Sequence, residues 1–264
     1  MIDDQIQKEL RERFNPDGSK LMMMQLRMLE MLKFIDNVCN EHGIKYWLSS
    51  GTCLGAVRHG GFIPWDDDVD IEMMEDDYER FITVMNENPS NDYIVQTPEN
   101  DPNYIFSFSK LRDLNSIIKE CNNYDESFAY RGIFIDIFPM ASSSSYLAHK
   151  LAGLLYWRGR ANKEINRCYS LKRLVFHHLY KVLKPLFVKL DSRKSIYIRH
   201  KLGSPYLKPR KKSDIFPLKY IKFEDTLLPV PNDYDSYLRG IFGKYECLPD
   251  LNNIKQHTLE ITLL

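Results

Sequence analysis

Apolar side chains recur every three or four residues through Leu21, Met24, Met28, Met31, Ile35 and Val38, the period of a helix with one buried face. Gly43 stands where a left-handed C-terminal cap belongs, and Asn15-Pro16-Asp17-Gly18 is a turn signal that closes a polar stretch over residues 1–19. The methionine stripe reads as core rather than as an adaptable binding face. Beyond Gly43 the period changes. Lys45 to Leu48 is expected to form a first strand, with a turn at Gly51-Thr52 and a short helix around Leu54–His59. Asp68 to Met73 alternates as a second strand, and Asp76 or Asp77 is placed to cap a helix through about Met85, ended by Asn88-Pro89. Tyr93–Gln96 and Tyr104–Leu111 read as further strands, with Phe106, Phe108, Lys110 and Arg112 on one face. Gly132–Pro139 is an apolar run interrupted only by Asp136.

Ser142–Ser145 breaks this pattern, and the chain becomes basic. Between Lys150 and Lys212 there are eighteen Lys and Arg against Glu164 and Asp191 alone, interleaved with aliphatic and aromatic residues at helical spacing. Pro185 is expected to break or kink the helix there. Such a segment suits a membrane surface or a polyanion, each basic residue contributing about 1 kcal/mol near an anionic bilayer; the alternative is a solvated helical insertion. No nucleic-acid-reading motif accompanies the charge. After residue 212 a globular pattern returns through Phe216-Pro217, Leu228-Pro229-Val230-Pro231, Tyr237-Leu238 and Leu248-Pro249.

Composition adds bounds. The chain has 264 residues, 44 % of them hydrophobic, enough for one large domain with a sizeable core. Lys plus Arg equals Asp plus Glu, so net charge points to no partner. Cys39, Cys53, Cys121, Cys168 and Cys247 are odd in number and scattered, which speaks against zinc or a disulfide framework and for free, mostly buried thiols in a reducing cytosol. The acidic, polar start is unlike a signal peptide, and no apolar run is long enough to span a bilayer.

The candidate chemistry lies between Tyr46 and Glu72, and at Asp136. On a strand Asp68 and Asp70 point to one face, and two carboxylates side by side repel unless a cation lies between them; Mg²⁺ suits that place when a substrate brings phosphates. A charge within an apolar strand is costly, so Asp136 is expected to face a metal, a cation or a solvated cleft, the plainer alternative being a structural ion pair. Gly51 allows close backbone approach and the Thr52 hydroxyl can donate to phosphate. Arg58 either reaches a donor phosphate or pairs with one of the acids. Asp66 shares the parity of Asp68 and suits a supporting role, whereas Asp67 points away. Lys110 and Arg112 are placed as phosphate clamps or as cross-strand partners of acids. His59 reads as structural, and His257 has only weak support as a ligand. Tyr46, Trp47, Trp65 and Tyr130 would serve as a cage for a quaternary ammonium or, more commonly, as core.

Gly51-Thr52, then Gly55-Ala56-Val57-Arg58-His59, then Gly61-Phe62-Ile63-Pro64-Trp65-Asp66-Asp67-Asp68-Val69-Asp70-Ile71 resemble the signature of the LicD family, and Ile135-Asp136-Ile137-Phe138-Pro139 is similar to its later acidic motif. The likeness runs from about Tyr46 to Pro249, interrupted by the basic segment; Phe242 replaces a usual tyrosine and Cys247 a methionine-like position. The resemblance implies an α/β (α+β) enzyme: a nucleotidyltransferase-like mixed sheet flanked by helices, distantly related to fukutin. It implies one catalytic domain over 1–264, with an N-terminal helix (20–43), a core (44–141), the basic helical insertion (142–212) and a closing part (213–264). Asp68, Asp70 and Asp136 would be the catalytic and metal-binding residues, with Mg²⁺ or Mn²⁺ as cofactor. Asp136 serves either as metal ligand or as the base that takes the acceptor proton. The expected reaction is transfer of a phospho-alcohol, phosphocholine from CDP-choline foremost, to a hydroxyl of a lipid-linked surface glycan on the inner face of the cytoplasmic membrane. The rivals are nucleotidyl transfer with release of pyrophosphate, and a non-catalytic, membrane-associated glycan-assembly adaptor.

Overall fold

The structure is a computed structural model that describes residues 2–264 except 122–123, 144, 161–166, 192–194, 255 and 257, with backbone alone at 124, 160 and 167–173. The elements in order are α1 (Asp4–Phe14), α2 (Lys20–His42), β1 (Tyr46–Leu48), α3 (Ser50–His59), β2 (Asp70–Met74), α4 (Glu75–Glu87), β3 (Tyr93–Gln96), β4 (Ser109–Asp113), β5 (Ser116–Glu120) and β6 (Phe134–Ser142). A helical hairpin follows, α5 (Tyr146–Arg160) and α6 (Arg167–Leu190), then β7 (Tyr197–His200), β8 (Arg210–Lys211), α7 (Lys212–Ile215), β9 (Lys219–Phe223), β10 (Thr226–Val230), α8 (Tyr234–Phe242) and β11 (Thr258–Leu263).

The main sheet is mixed, as the sequence suggested, in the order β1-β2-β6-β4-β3. β2 and β6 are parallel, and β6 is long enough to divide its other edge. Phe134 to Ile137 pair with β4, while Met140 to Ser142 pair with β7. One face of this sheet supplies Ile71, Met73, Ile135 and Ile137 to a core that also takes Met24, Met28, Met31, Leu32 and Ile35 of α2. The methionine stripe is therefore core. α2 is bounded as its sequence dictates: the Ser19 side chain accepts from the Met22 amide, and Gly43 is left-handed at the other end.

Several boundaries differ from the sequence expectation. α1 forms within the polar start, capped by Asp3, with Leu10 packed into the core. β2 begins at Asp70, so Asp68 lies in the approach to the strand. α4 begins at Glu75 without a side-chain cap, which places Asp76 and Asp77 in its first turn, where their charges favour the helix dipole. Residues 104–108 lie outside β4. Pro185 is carried inside α6, and the chain rejoins the sheet at β7, so the helical part of the basic segment ends at Leu190. Cys39 and Cys53 are buried free thiols, but Cys121 and Cys247 are exposed.

Gly132 lies hard against the β4–β5 connection, where a Cβ would come within 1.7 Å of the Asp113 carbonyl oxygen. Gly240, in α8, has nothing within 4 Å of that position. Gly132→Ala should cost about 1–3 kcal/mol or more, because backbone must move, whereas Gly240→Ala should gain about 0.5–1 kcal/mol. Urea unfolding of the two variants checks both signs.

Candidate active site

The site is assembled on the sheet face opposite the methionine core. β1 ends at Leu48, Ser49 stands at the N-cap of α3, and Ser50 takes a left-handed backbone (φ 45°) to turn the chain into that helix. This first turn is tied to β2 from both sides. The Ser49 amide donates to the Asp70 carbonyl at 2.9 Å, and the Asp70 amide donates to Thr52 Oγ1 at 2.8 Å. Asp70 thereby starts β2 at a fixed height, directly in register with Asp136 on β6. Lys110 on β4 is in register with Asp136 from the other side, and its Nζ lies 2.6 Å from Asp136 Oδ1 and 3.2 Å from the centre of the Phe134 ring. A row Asp70–Asp136–Lys110 thus crosses three adjacent strands.

Electrostatics show which other acids belong to this row. Burial raises the Asp70 pKa well above the carboxylate range, Asp68, Asp136 and Asp66 raise it further, and Lys110 opposes them. Asp66 is raised by burial, then by Asp68 and Asp67, against Arg58. Asp136 is raised by burial, although Lys110 pulls it down. The Tyr206 phenol is pushed up to about 12 by burial and by Asp70, Asp136 and Asp68. Asp66, Asp68, Asp70 and Asp136 therefore form one mutually repelling group with Tyr206 beside it.

Two residues beyond Asp70, on the same face, Glu72 is fully buried. Its carboxylate accepts from Trp47 Nε1 (2.8 Å) and Ser49 Oγ (2.9 Å), pairs with Arg210 at 2.7 Å, and has His200 Nε2 at 3.6 Å. Because Ser49 gives its proton to Glu72, Tyr237 donates to Ser49 Oγ at 2.9 Å while accepting from the Ser50 amide at 3.2 Å. Burial works against the Arg210 charge, but Glu72, Tyr237 and Asp70 outweigh it and hold the pKa above its usual value. Burial and Arg210 keep His200 well below the ordinary histidine range, so it is neutral.

The remaining sequence candidates are placed as follows. Gly51 leaves a notch: a Cβ there would stand 3.0 Å from Asp66 Oδ2, so the Asp66 carboxylate sits over the start of α3. Arg58 is buried and donates to the Tyr245 and Cys247 carbonyls at 2.8 and 3.1 Å and to His59 Nε2 at 2.9 Å, with Asp66 as its nearby charge. Its guanidinium braces the C-terminal segment rather than facing the acid row. Arg112 shares the face of Lys110 but is fully buried; it donates to Gln96 Oε1 and the Gly132 carbonyl, both at 2.8 Å, and lies over Phe134. Its guanidinium is held in the interior, not presented as a clamp. Asp67 accepts from the Thr258 amide at 2.6 Å and fixes the start of β11. His59 is neutral, held down to about 3 mainly by burial and by Arg58 and Arg11. Tyr46, Trp47 and Trp65 are core, and Tyr130 is half-buried. His257 is outside the described residues.

The donor set bears on a metal. Among the described residues no three acidic, imidazole or thiol groups converge as a ready-made metal cage. What the site offers is carboxylates destabilised as anions by one another, a set that suits a cation completing its shell with substrate phosphates, the habit of Mg²⁺.

The mixed sheet thus carries acids in register on two neighbouring central strands, next to a helix whose first turn holds Gly51 and Thr52. Residues 43–180 match the family model described as LicD/FKTN/FKRP, nucleotidyltransferase domain. The chain belongs to this family. It is 26 % identical over 255 residues to the lipopolysaccharide cholinephosphotransferase LicD of Haemophilus influenzae, covering 91 % of this chain and 96 % of that protein. Shorter stretches match human ribitol 5-phosphate transferase FKRP (44 % over 48 residues, 18 % of this chain and 10 % of that protein) and human ribitol-5-phosphate transferase FKTN (42 % over 55 residues, 21 % and 12 %).

Two predictions follow from the electrostatics. A carboxyl whose folded pKa is raised favours its protonated form, so it loses stability as pH rises from the ordinary carboxylate range through the raised value. In chelator, Asp70→Asn should therefore be more stable than the parent at pH 7, with the gain shrinking toward pH 4; thermal melting at several pH values measures this. Arg210→Met strands the Glu72 charge and should cost about 3–5 kcal/mol, whereas Arg210→Met with Glu72→Gln should recover part of that loss in urea titrations.

Proposed function

We propose that this protein transfers a phospho-alcohol from a CDP-alcohol, CDP-choline foremost, to a hydroxyl of a cell-surface glycan such as a lipopolysaccharide, teichoic acid or capsule precursor. The observation that carries this reading is the register of Asp70 with Asp136 beside Lys110, in a chain that aligns along almost its whole length with a lipopolysaccharide cholinephosphotransferase. The likeness to two ribitol phosphate transferases supports phospho-alcohols as the substrate class.

In this scheme the acceptor oxygen bonds to the phosphorus that bears the alcohol. The bridging P–O bond breaks, and CMP departs with the electron pair. The acceptor proton goes to Asp136, whose raised pKa moves it toward the range useful to a base at neutral pH. Lys110 orients that carboxylate and offers positive charge to the transferring phosphoryl group. Asp68 and Asp70 would hold Mg²⁺ or Mn²⁺, with Asp136 as a further ligand if it does not act as the base. The ion would neutralise the donor diphosphate when bound. Thr52 and Gly51 line the approach at the start of α3, and Tyr206 stands beside the acids where an acceptor would enter. We place the acceptor on a lipid carrier, met by peripheral association with the inner face of the cytoplasmic membrane through 150–212.

Purified protein with Mg²⁺, CDP-choline and a lipid-linked glycan should release CMP, and Asp70→Asn or Asp136→Asn should lower turnover by about 10²-fold or more without unfolding the chain. Release of pyrophosphate would instead indicate nucleotidyl transfer. Nucleotide binding unaffected by chelator, with no product, would indicate a non-catalytic adaptor.

A further inference from the structure

The helical hairpin carries two exposed apolar rows. On α5 these are Leu147, Leu151 and Leu154; on α6 they are Val175, Leu179, Val182 and Leu186, all between 42 and 70 % exposed. The steps of four and three place each row on one face of its helix. The helices run antiparallel, because Tyr156 meets Tyr180 while Gly159 abuts His177. Their inner rows, Ala148 and Ala152 against Tyr180 and Phe187, bury one another with Leu202. At roughly 100° per residue each outer row lies about a quarter to a third of a turn from its inner row. Antiparallel packing brings both outer rows to the same side of the pair.

Among the described side chains of α5 and α6 every charged one is positive: Lys150, Arg158, Lys181, Lys184 and Lys189. Residues 146–190 contain ten Lys and Arg and a single acid, Glu164. Exposed Lys150 and Lys189 flank the two rows by helical position, and Arg158 continues the α5 row. No described helix is long and apolar enough to cross a membrane. An apolar strip edged by lysines and too charged to span is the pattern of a helix that lies within the bilayer interface.

We infer that this side of the α5–α6 hairpin docks on an anionic lipid bilayer, with Leu147, Leu151, Leu154, Val175, Leu179, Val182 and Leu186 among the upper acyl chains and the lysines at the phosphate level. A second copy of the chain would have to bring the same cationic face against this one. An anionic lipid surface neutralises that charge, and this complementarity selects the bilayer as occupant. The hairpin is joined to the catalytic side by hydrogen bonds from Tyr156 to the Phe106 carbonyl (2.9 Å) and from Tyr180 to the Leu202 carbonyl (3.0 Å). Docking would therefore hold the acid row at a set height over the membrane. The inference sharpens the proposed membrane association by naming the surface, and its test makes no use of turnover.

The test is co-flotation of the full chain with vesicles of phosphatidylcholine alone or with 30 % phosphatidylglycerol, the latter at ~0.1 and ~0.5 M salt, with the oligomeric state followed by light scattering. The parent should float with the anionic vesicles and at least fivefold less with the neutral ones. Leu151→Glu with Val182→Glu should reduce flotation about tenfold, Leu151→Ala with Val182→Ala should reduce it less, and Lys150→Glu with Lys189→Glu should remove most of its salt dependence. All four substituted positions are exposed, so melting curves should match the parent. Absence of flotation, flotation equal in the parent and the Glu pair, or a parent dimer that the Glu pair dissociates would overturn the inference, the last by assigning the face to a second copy.

Discussion

Negative charge held inside the sheet is the constraint around which this molecule is arranged. Burial raises the proton affinity of Asp66, Asp70 and Asp136, neighbouring aspartates raise that of Asp66 and Asp70 further, and Glu72 lies two residues further along the same strand face, fully buried. Uncompensated carboxylates at such positions would cost more than a domain's usual margin of stability. Compensation comes from distant parts of the chain: Lys110 on a neighbouring strand for Asp136, and Arg210, Trp47 and Ser49 for Glu72. The two acids are treated differently. Glu72 is satisfied on several sides and works as a structural hub, while Asp70 remains opposed mainly by other acids, which leaves the unrelieved repulsion at the start of β2, where the proposed substrate and cation would bind.

This division explains why the site needs the end of the chain. Arg210 and Tyr206 follow the helical hairpin, and Tyr237 belongs to α8. Tyr237 bonds both residues at the entry to α3, so the turn expected to approach the donor phosphate is braced by an element nearly two hundred residues away. Arg58 contributes from the opposite direction by fixing the carbonyls of Tyr245 and Cys247. The folded arrangement is thus closed by contacts between the signature region and the tail, with the central sheet between them.

What could be read from the sequence divides along physical lines. The period and cap of α2 are local properties, and they were legible. So was the shared face of Lys110 and Arg112, a consequence of strand alternation, and the strangeness of a charge inside Ile133–Phe138. The fates of the two basic residues were not legible, because parity assigns a face but not a partner: Lys110 reaches Asp136, whereas Arg112 is captured by Gln96 and Gly132. Glu72 has the parity of Asp70, so its face was legible, but its partners were not: Arg210 stands among lysines and prolines far along the chain. Of the break or kink that the missing amide of Pro185 predicts, the break does not occur: α6 carries the proline, held by the inner row that Phe187 and Tyr180 pack against α5. Ahead of and along α1, Ile2, Ile6, Leu10 and Phe14 recur every four residues, a helical period that was legible in the polar start but is carried by few apolar side chains among many charged ones.

The divided edge of β6 has a consequence for how this architecture can vary. β6 ends and β7 begins side by side, with Ser142 in register with Ile198 and the Ser143 amide donating to the Tyr197 carbonyl at 3.0 Å. Everything from Tyr146 to Leu190 is therefore a loop whose two feet already touch. Such a loop can be lengthened, shortened or exchanged while the strands that bear the acids keep their alignment, so the part of the molecule that meets its surroundings can diverge independently of the part that performs the chemistry.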